Sequence, residues 1–161
     1  MKKKIIFCFF ISIIISTIFS LMYKYDNEYV KKIYISHIKT DTPESYKYYL
    51  DSAYIENGYL KIRGWLAKEG ENLEYLNRKA VLKDKNGFIY EINTLVEQRT
   101  EVTSAIGDGF DYDNSGIIAQ CPINQFKKSD KFQIGYIVNE DNGDRYYIQI
   151  DKVITIGEYI E

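Results

Sequence analysis

Histidine, cysteine and proline are almost missing from this chain: 161 residues include one histidine, two cysteines and two prolines. Each scarcity closes off chemistry. The lone His37 removes most histidine-rich metal sites and any His-based triad, because it falls in a presumed tether rather than in the strand-rich remainder. A Cys-His nucleophile fails for the same reason. Cys8 lies in an apolar N-terminal run and Cys121 stands alone beyond it, so no intrachain disulfide staples the exported part. Cys121 follows Ile117, Ile118 and Ala119 and reads as a small buried hydrophobe. Glycine-rich phosphate loops, a serine elbow and zinc spacing are also lacking, and no cofactor is implied. A basic surplus is absent too: 21 Lys and Arg face 23 Asp and Glu, which leaves nothing to neutralise nucleic-acid phosphates.

What is present begins with Lys2, Lys3 and Lys4, followed by Ile5–Met22, eighteen residues whose only polar members are Ser12, Ser16, Thr17 and Ser20. At ~1.5 Å per residue a helix of this length spans about 27 Å, close to the hydrocarbon thickness of a bilayer. The leading lysines place the N-terminus in the cytoplasm and the remainder outside, with the cytoplasmic membrane the expected location. A cleaved signal peptide is the competing reading, which would leave the remainder secreted. It is disfavoured by the length of the run and the lack of an Ala-x-Ala site. Tyr23 and Tyr25 follow, where amphipathic rings sit at headgroup depth.

Three parts are expected: an anchor over residues 1–25, a juxtamembrane stalk over 26–49 and a domain over 50–161. From Asp26 onward the chain has 17 basic and 23 acidic residues. That net of −6 disfavours adsorption to anionic lipid and leaves residues 5–22 as the membrane attachment.

Within the third part, short β-type runs flank Asn57-Gly58, Lys85-Asn86-Gly87 and Asp141-Asn142-Gly143, turn sequences of hairpins. Phe88, Tyr90 and Ile92 alternate with polar neighbours, as do Phe132, Ile134, Tyr136 and Val138. With a strand near Ser115–Cys121 the count is about seven. The fold class expected is therefore all-β, an immunoglobulin-like antiparallel β-sandwich preceded by one transmembrane helix. Val102, Ala105 and Ile106 add a single helical turn at the sandwich edge.

Three groups carry potential chemistry. Trp65 falls in phase with Lys61 and Arg63, opposite Leu60, Ile62 and Leu66. Either Gly64 marks a bulge that turns it into the core, or it lies outside as a platform for a sugar or an apolar surface. Arg99 and Glu101 pair, satisfy loop carbonyls or meet a ligand. Asp111, Asp113 and Ser115 match positions 1, 3 and 5 of a calcium loop with Gly116 at 6, but position 12 is Pro122 instead of a bidentate Glu. An acidic surface loop is the simpler reading. Sixteen tyrosines suit sheet packing and recognition faces alike.

The ordered set Gly64-Trp65, Leu82-Lys-Asp-Lys-Asn-Gly87, Arg99-Thr-Glu-Val102, Ser115-Gly116 and Phe132-Gln-Ile-Gly135 resembles a sandwich domain of uncharacterised, membrane-tethered bacterial envelope proteins. The resemblance covers Ala53 to Ile156. It implies an Ig-like module outside the cytoplasmic membrane and carries over no catalytic residues. The function expected is a non-catalytic binding module recognising an envelope protein or a glycan. The alternatives are a carbohydrate-binding accessory to surface polysaccharide assembly, with Trp65 and tyrosines exposed in a row, and an immunity-type inhibitor with an acidic binding face.

Overall fold

A computed structural model describes residues 2–28, 30–34, 38–73 and 77–157; His37 and the middle of the expected stalk lie outside them. Helix α1 spans Lys2–Glu28. Its segment Ile6–Asp26 is long and apolar enough to cross a membrane, and none of it is buried against the protein. Thr17 Oγ1 donates to the Ile13 carbonyl at 2.8 Å, the return bond that makes a hydroxyl tolerable in an apolar helix.

The rest of the chain is antiparallel sheet. The strands are β1 (Val30–Ile33), β2 (Tyr46–Glu56), β3 (Tyr59–Lys68), β4 (Arg78–Asp84), β5 (Ile89–Glu97), β6 (Gly116–Pro122), β7 (Lys131–Asn139) and β8 (Arg145–Thr155), with a short helix α2 at Thr100–Ile106. The strand order is β2-β3-β6-β5-β4-β7-β8. Strand β5 serves two sheets: its start pairs with β4, and Asn93–Glu97 pairs with β6. The result is a four-stranded layer, β2-β3-β6-β5, facing a three-stranded layer, β4-β7-β8. This is the strand order of an immunoglobulin-like sandwich.

Local sequence explains the hairpins. Asn57 and Gly58 hold φ of 51° and 79°, the pair of positive angles that a two-residue hairpin turn demands. In the β4–β5 turn, Asp84 accepts the Asn86 and Phe88 amides at 2.8 and 2.9 Å.

Alternation fills three separate cores. Leu60, Ile62 and Leu66 of β3 meet Ile117, Ala119 and Cys121 of β6 and Ile134, Tyr136 and Ile148 of the other layer. The outer side of β4-β7-β8 carries a second cluster, Val81, Ile137 and Tyr147, which Ile89, Ile33 and Ile38 cover. A third, Ala67, Val102 and Tyr112 with Trp65 and Ile106, lies under α2 on the outer side of the four-stranded layer.

The second cluster corrects the stalk. The described residues of 26–49 are not a spacer: α1 runs to Glu28, β1 pairs with the start of β5 from Val30↔Ile92 to Ile33↔Ile89, and β2 begins at Tyr46. Lys39 bridges to Tyr146 of β8 as well. The physical reason is burial. The outer face of β4-β7-β8 is apolar, and Ile33 and Ile38 shield it from water.

The two ends of the sandwich differ. The turns 57–58, 85–87 and 123–130 lie at the end where α1 arrives: Tyr59 Oη donates to Glu28 Oε1 at 3.2 Å, and Gln125 Nε2 donates to the Glu28 carbonyl at 2.5 Å. The segments 69–73, 98–115 and 140–144 lie at the far end, as the antiparallel strand directions require.

Candidate partner-binding face

The outer face of β2-β3-β6-β5 holds the predicted residues. Cross-strand register sets Ser52, Arg63, Ile118 and Leu95 in one row and Tyr54, Lys61, Gln120 and Asn93 in the next. Tyr54, Ile118 and Leu95 are 41%, 40% and 58% exposed, which leaves a small apolar centre on this face.

Charged pairs rim that centre. Arg63 Nε donates to Glu97 Oε2 at 2.8 Å, and Lys61 pairs with Glu56. Arg99 reaches Asp51 at 2.5 Å and also pairs with Glu101. Asp51 takes part because β2 shifts register between Leu50 and Ser52: the extra residue of a bulge leaves the ladder and is re-aimed. Gly116 makes room for this arrangement. A Cβ there would strike the Glu97 carbonyl and stand 2.6 Å from Arg99 Cγ, so the arginine stem lies directly over the glycine.

These contacts set the electrostatics. Hydrogen bonds from Arg99 hold the Glu101 carboxyl below its ordinary range, and the Asp51 and Glu101 carboxylates push the guanidinium up. Arg99 and Glu101 are therefore brought together as expected, with Asp51 and Glu97 added to them. No spacing in the sequence pointed to Asp51, since only the bulge turns it toward Arg99.

Trp65 stays on the outer face. The bulge lies in β2 opposite Gly64 and not at Gly64 itself, so the alternation of β3 runs unbroken from Leu60 to Leu66. The indole is half-buried because Val102 and Tyr112 cover that end of the sheet. Its direct cross-strand neighbour, Tyr49, is 61% exposed. The open aromatics on this face are Tyr49, Tyr54 and part of Trp65, and the Ser52–Arg63 row separates Tyr54 from the other two, so they form no continuous row for a sugar platform.

Asp111, Asp113 and Ser115 form a turn beside α2. Asp111 Oδ1 accepts the Asp113 amide at 2.8 Å, and Asp113 Oδ1 accepts the Thr103 hydroxyl at 2.6 Å. The carboxylates bind the chain's own donors, and Ser115 is buried. The loop leads into β6 and not into a second helix, so the resemblance to a calcium loop stops at spacing. Among the described residues no group of three or more His, Cys, Asp or Glu is set to hold a metal. The neighbouring Asp108 accepts the Tyr112 hydroxyl at 2.6 Å, which holds its carboxyl below the usual range.

Two buried groups lie away from this face, Cys121 where a buried residue was expected and Arg78 where none was. Cys121 is fully buried and desolvation pushes its thiol up to about 12, so it is an inert packing residue. Arg78 is buried beside a cleft at the far end. Its guanidinium donates to the Leu66 and Asn114 carbonyls, and burial lowers its pKa to about 10, still charged at neutral pH. In the same cleft Glu140 pairs with Lys68 at 3.0 Å, while burial and the neighbouring Asp141 and Asp144 raise its pKa.

No protein-family model matches the chain, no curated protein matches it, and no solved structure matches it. Functional inference therefore rests on the geometry of this face.

Proposed function

We propose that the protein is a non-catalytic binding module of the bacterial cell envelope, anchored by α1, N-terminus inward, with its sandwich outside the cytoplasmic membrane. The observation that carries this reading is a sheet surface left uncovered among the described residues. The chain spends Ile33 and Ile38 on the outer side of β4-β7-β8, and spends α2 on the far part of the other layer. Between them Tyr54, Ile118 and Leu95 remain open. An apolar centre with a rim of ion pairs is the anatomy of a protein-binding patch, where desolvation at the middle supplies affinity and the rim supplies register. Aliphatic Ile118 and Leu95 favour a protein surface over a sugar ring, which stacks on aromatic faces.

The test is site-specific photo-crosslinking of the anchored protein in its membrane. A crosslinker at Leu95 or Ile118 captures one discrete partner, and the double variant Tyr54→Ala, Ile118→Asp abolishes that capture while keeping the melting temperature. Equal capture from Lys79, on the opposite layer, would remove the assignment of this face.

A further inference from the structure

Four lysines without an ion pair stand together in the turns at the anchor end. Lys85, Lys127, Lys128 and Lys131 are exposed and form no ion pair among the described residues. The two aspartates of the same turns point inward to backbone amides: Asp84 to Asn86 and Phe88, and Asp130 to Lys127 at 2.9 Å. Four lysines face two aspartates there. The far end is the reverse, because Glu69, Glu71, Glu140 and Asp144 hold Lys47, Lys68 and Lys39 in ion pairs.

The basic end is also held close to the span. One residue separates α1 from β1, and Gln125 bonds the last residue of the helix. Lys127 is two residues further, within about 7 Å of chain. The β4–β5 turn is tied to the same place, since Lys32 Nζ stands 3.3 Å over the Phe88 ring and Tyr90 packs edge-on against Phe126. A charge held this near a bilayer lies within the ~10 Å screening length at ordinary salt.

We propose that this end of the sandwich rests on anionic lipid headgroups, with Lys85, Lys127, Lys128 and Lys131 as the contacting cations. The overall negative charge does not oppose this contact, because the carboxylates that produce it are concentrated at the far end. The contact orients the domain: the basic turns face the bilayer, the acidic loops face away, and the open face of β2-β3-β6-β5 stands upright. The inference rests on α1 being the anchor.

The test is amine labelling of the full chain in vesicles of phosphatidylcholine alone or enriched in phosphatidylglycerol, with sites resolved by mass spectrometry. Anionic lipid is expected to slow labelling of the four lysines roughly fivefold each, and added salt to reverse the effect. Lys47 and Lys79 serve as unaffected references. A K85Q/K127Q/K128Q/K131Q variant loses the lipid-dependent protection of the 123–130 amides from hydrogen exchange. Identical labelling in both lipids by a chain that floats with neutral vesicles overturns the headgroup contact and leaves the anchor intact. Failure to float with phosphatidylcholine alone overturns both.

Discussion

The two ends of the sandwich are built from the same turn chemistry and carry opposite electrostatics. In the 85–87 and 123–130 turns of the anchor end, aspartates are consumed inside the turns and lysines remain unpaired; at the far end, carboxylates outnumber cations and bind them across strands. Arg99 shows the difference most clearly, since it joins Asp51 of β2 and Glu101 of α2, whereas Lys128 pairs with nothing described. Net charge therefore says little about a surface once a fold has sorted its residues. A value of −6 from Asp26 onward is the sum of a basic end and a more strongly acidic one.

The largest expected effect concerns β1, which belongs to the anchor end and was expected to be tether. Ile33→Asp places an unpaired charge among Val81, Ile89, Ile137 and Tyr147 and is expected to cost about 3 kcal/mol or more. Chemical denaturation measures it, with Lys31→Asp on the exposed side as the control. Wild-type stability of the Ile33 variant would restore the stalk.

A smaller effect is expected at the far end. Arg99→Met leaves Asp51, Glu97 and Glu101 without their shared cation and is expected to destabilise the domain by about 1 kcal/mol, the size of a partly screened network. Lys128→Gln, at the anchor end, leaves the melting temperature within about 2 °C. Equal effects from both would dissolve the contrast between the ends.

The smallest effect is one of pH. Glu101, Asp108 and Asp144 have folded pKa values below their ordinary ones, held down by Arg99, Tyr112 and Lys39 respectively. Their contribution is present above the ordinary carboxylate range near pH 4 and is lost as pH falls through the lower folded values. Glu140, with a raised pKa, acts in the opposite sense and favours the folded state once protonated. Hydrogen exchange should accordingly rise in loops 98–115 as the solution is acidified below about pH 4. Unchanged exchange of 98–115 across that range would contradict the assignment of the paired carboxylates.

Much of the fold was legible because its signals are local. Asn57-Gly58 sets two positive φ angles, Asp84 closes its own turn, and the alternation of Phe132, Ile134, Tyr136 and Val138 survives intact in β7. Strand β1 was not legible, since two apolar residues around Lys31 and Lys32 make no period, and its partner β5 lies some sixty residues away. The candidate face was legible in part. Arg99 and Glu101 stand close enough in sequence to be paired from it, whereas the side that Trp65 takes was open, Asp51 enters only through a bulge in another strand, and the apolar centre at Ile118 and Leu95 reads in sequence as ordinary strand.

The amino-acid sequence by itself determined the apolar helix, the hairpin turns and the all-β class, because each depends on contacts between residues a few positions apart. Tertiary structure alone decided which lysines stay unpaired, which sheet face stays open and that Trp65 remains outside. Those outcomes depend on which distant segments the strand order brings together, and strand order is set by burying three cores at once.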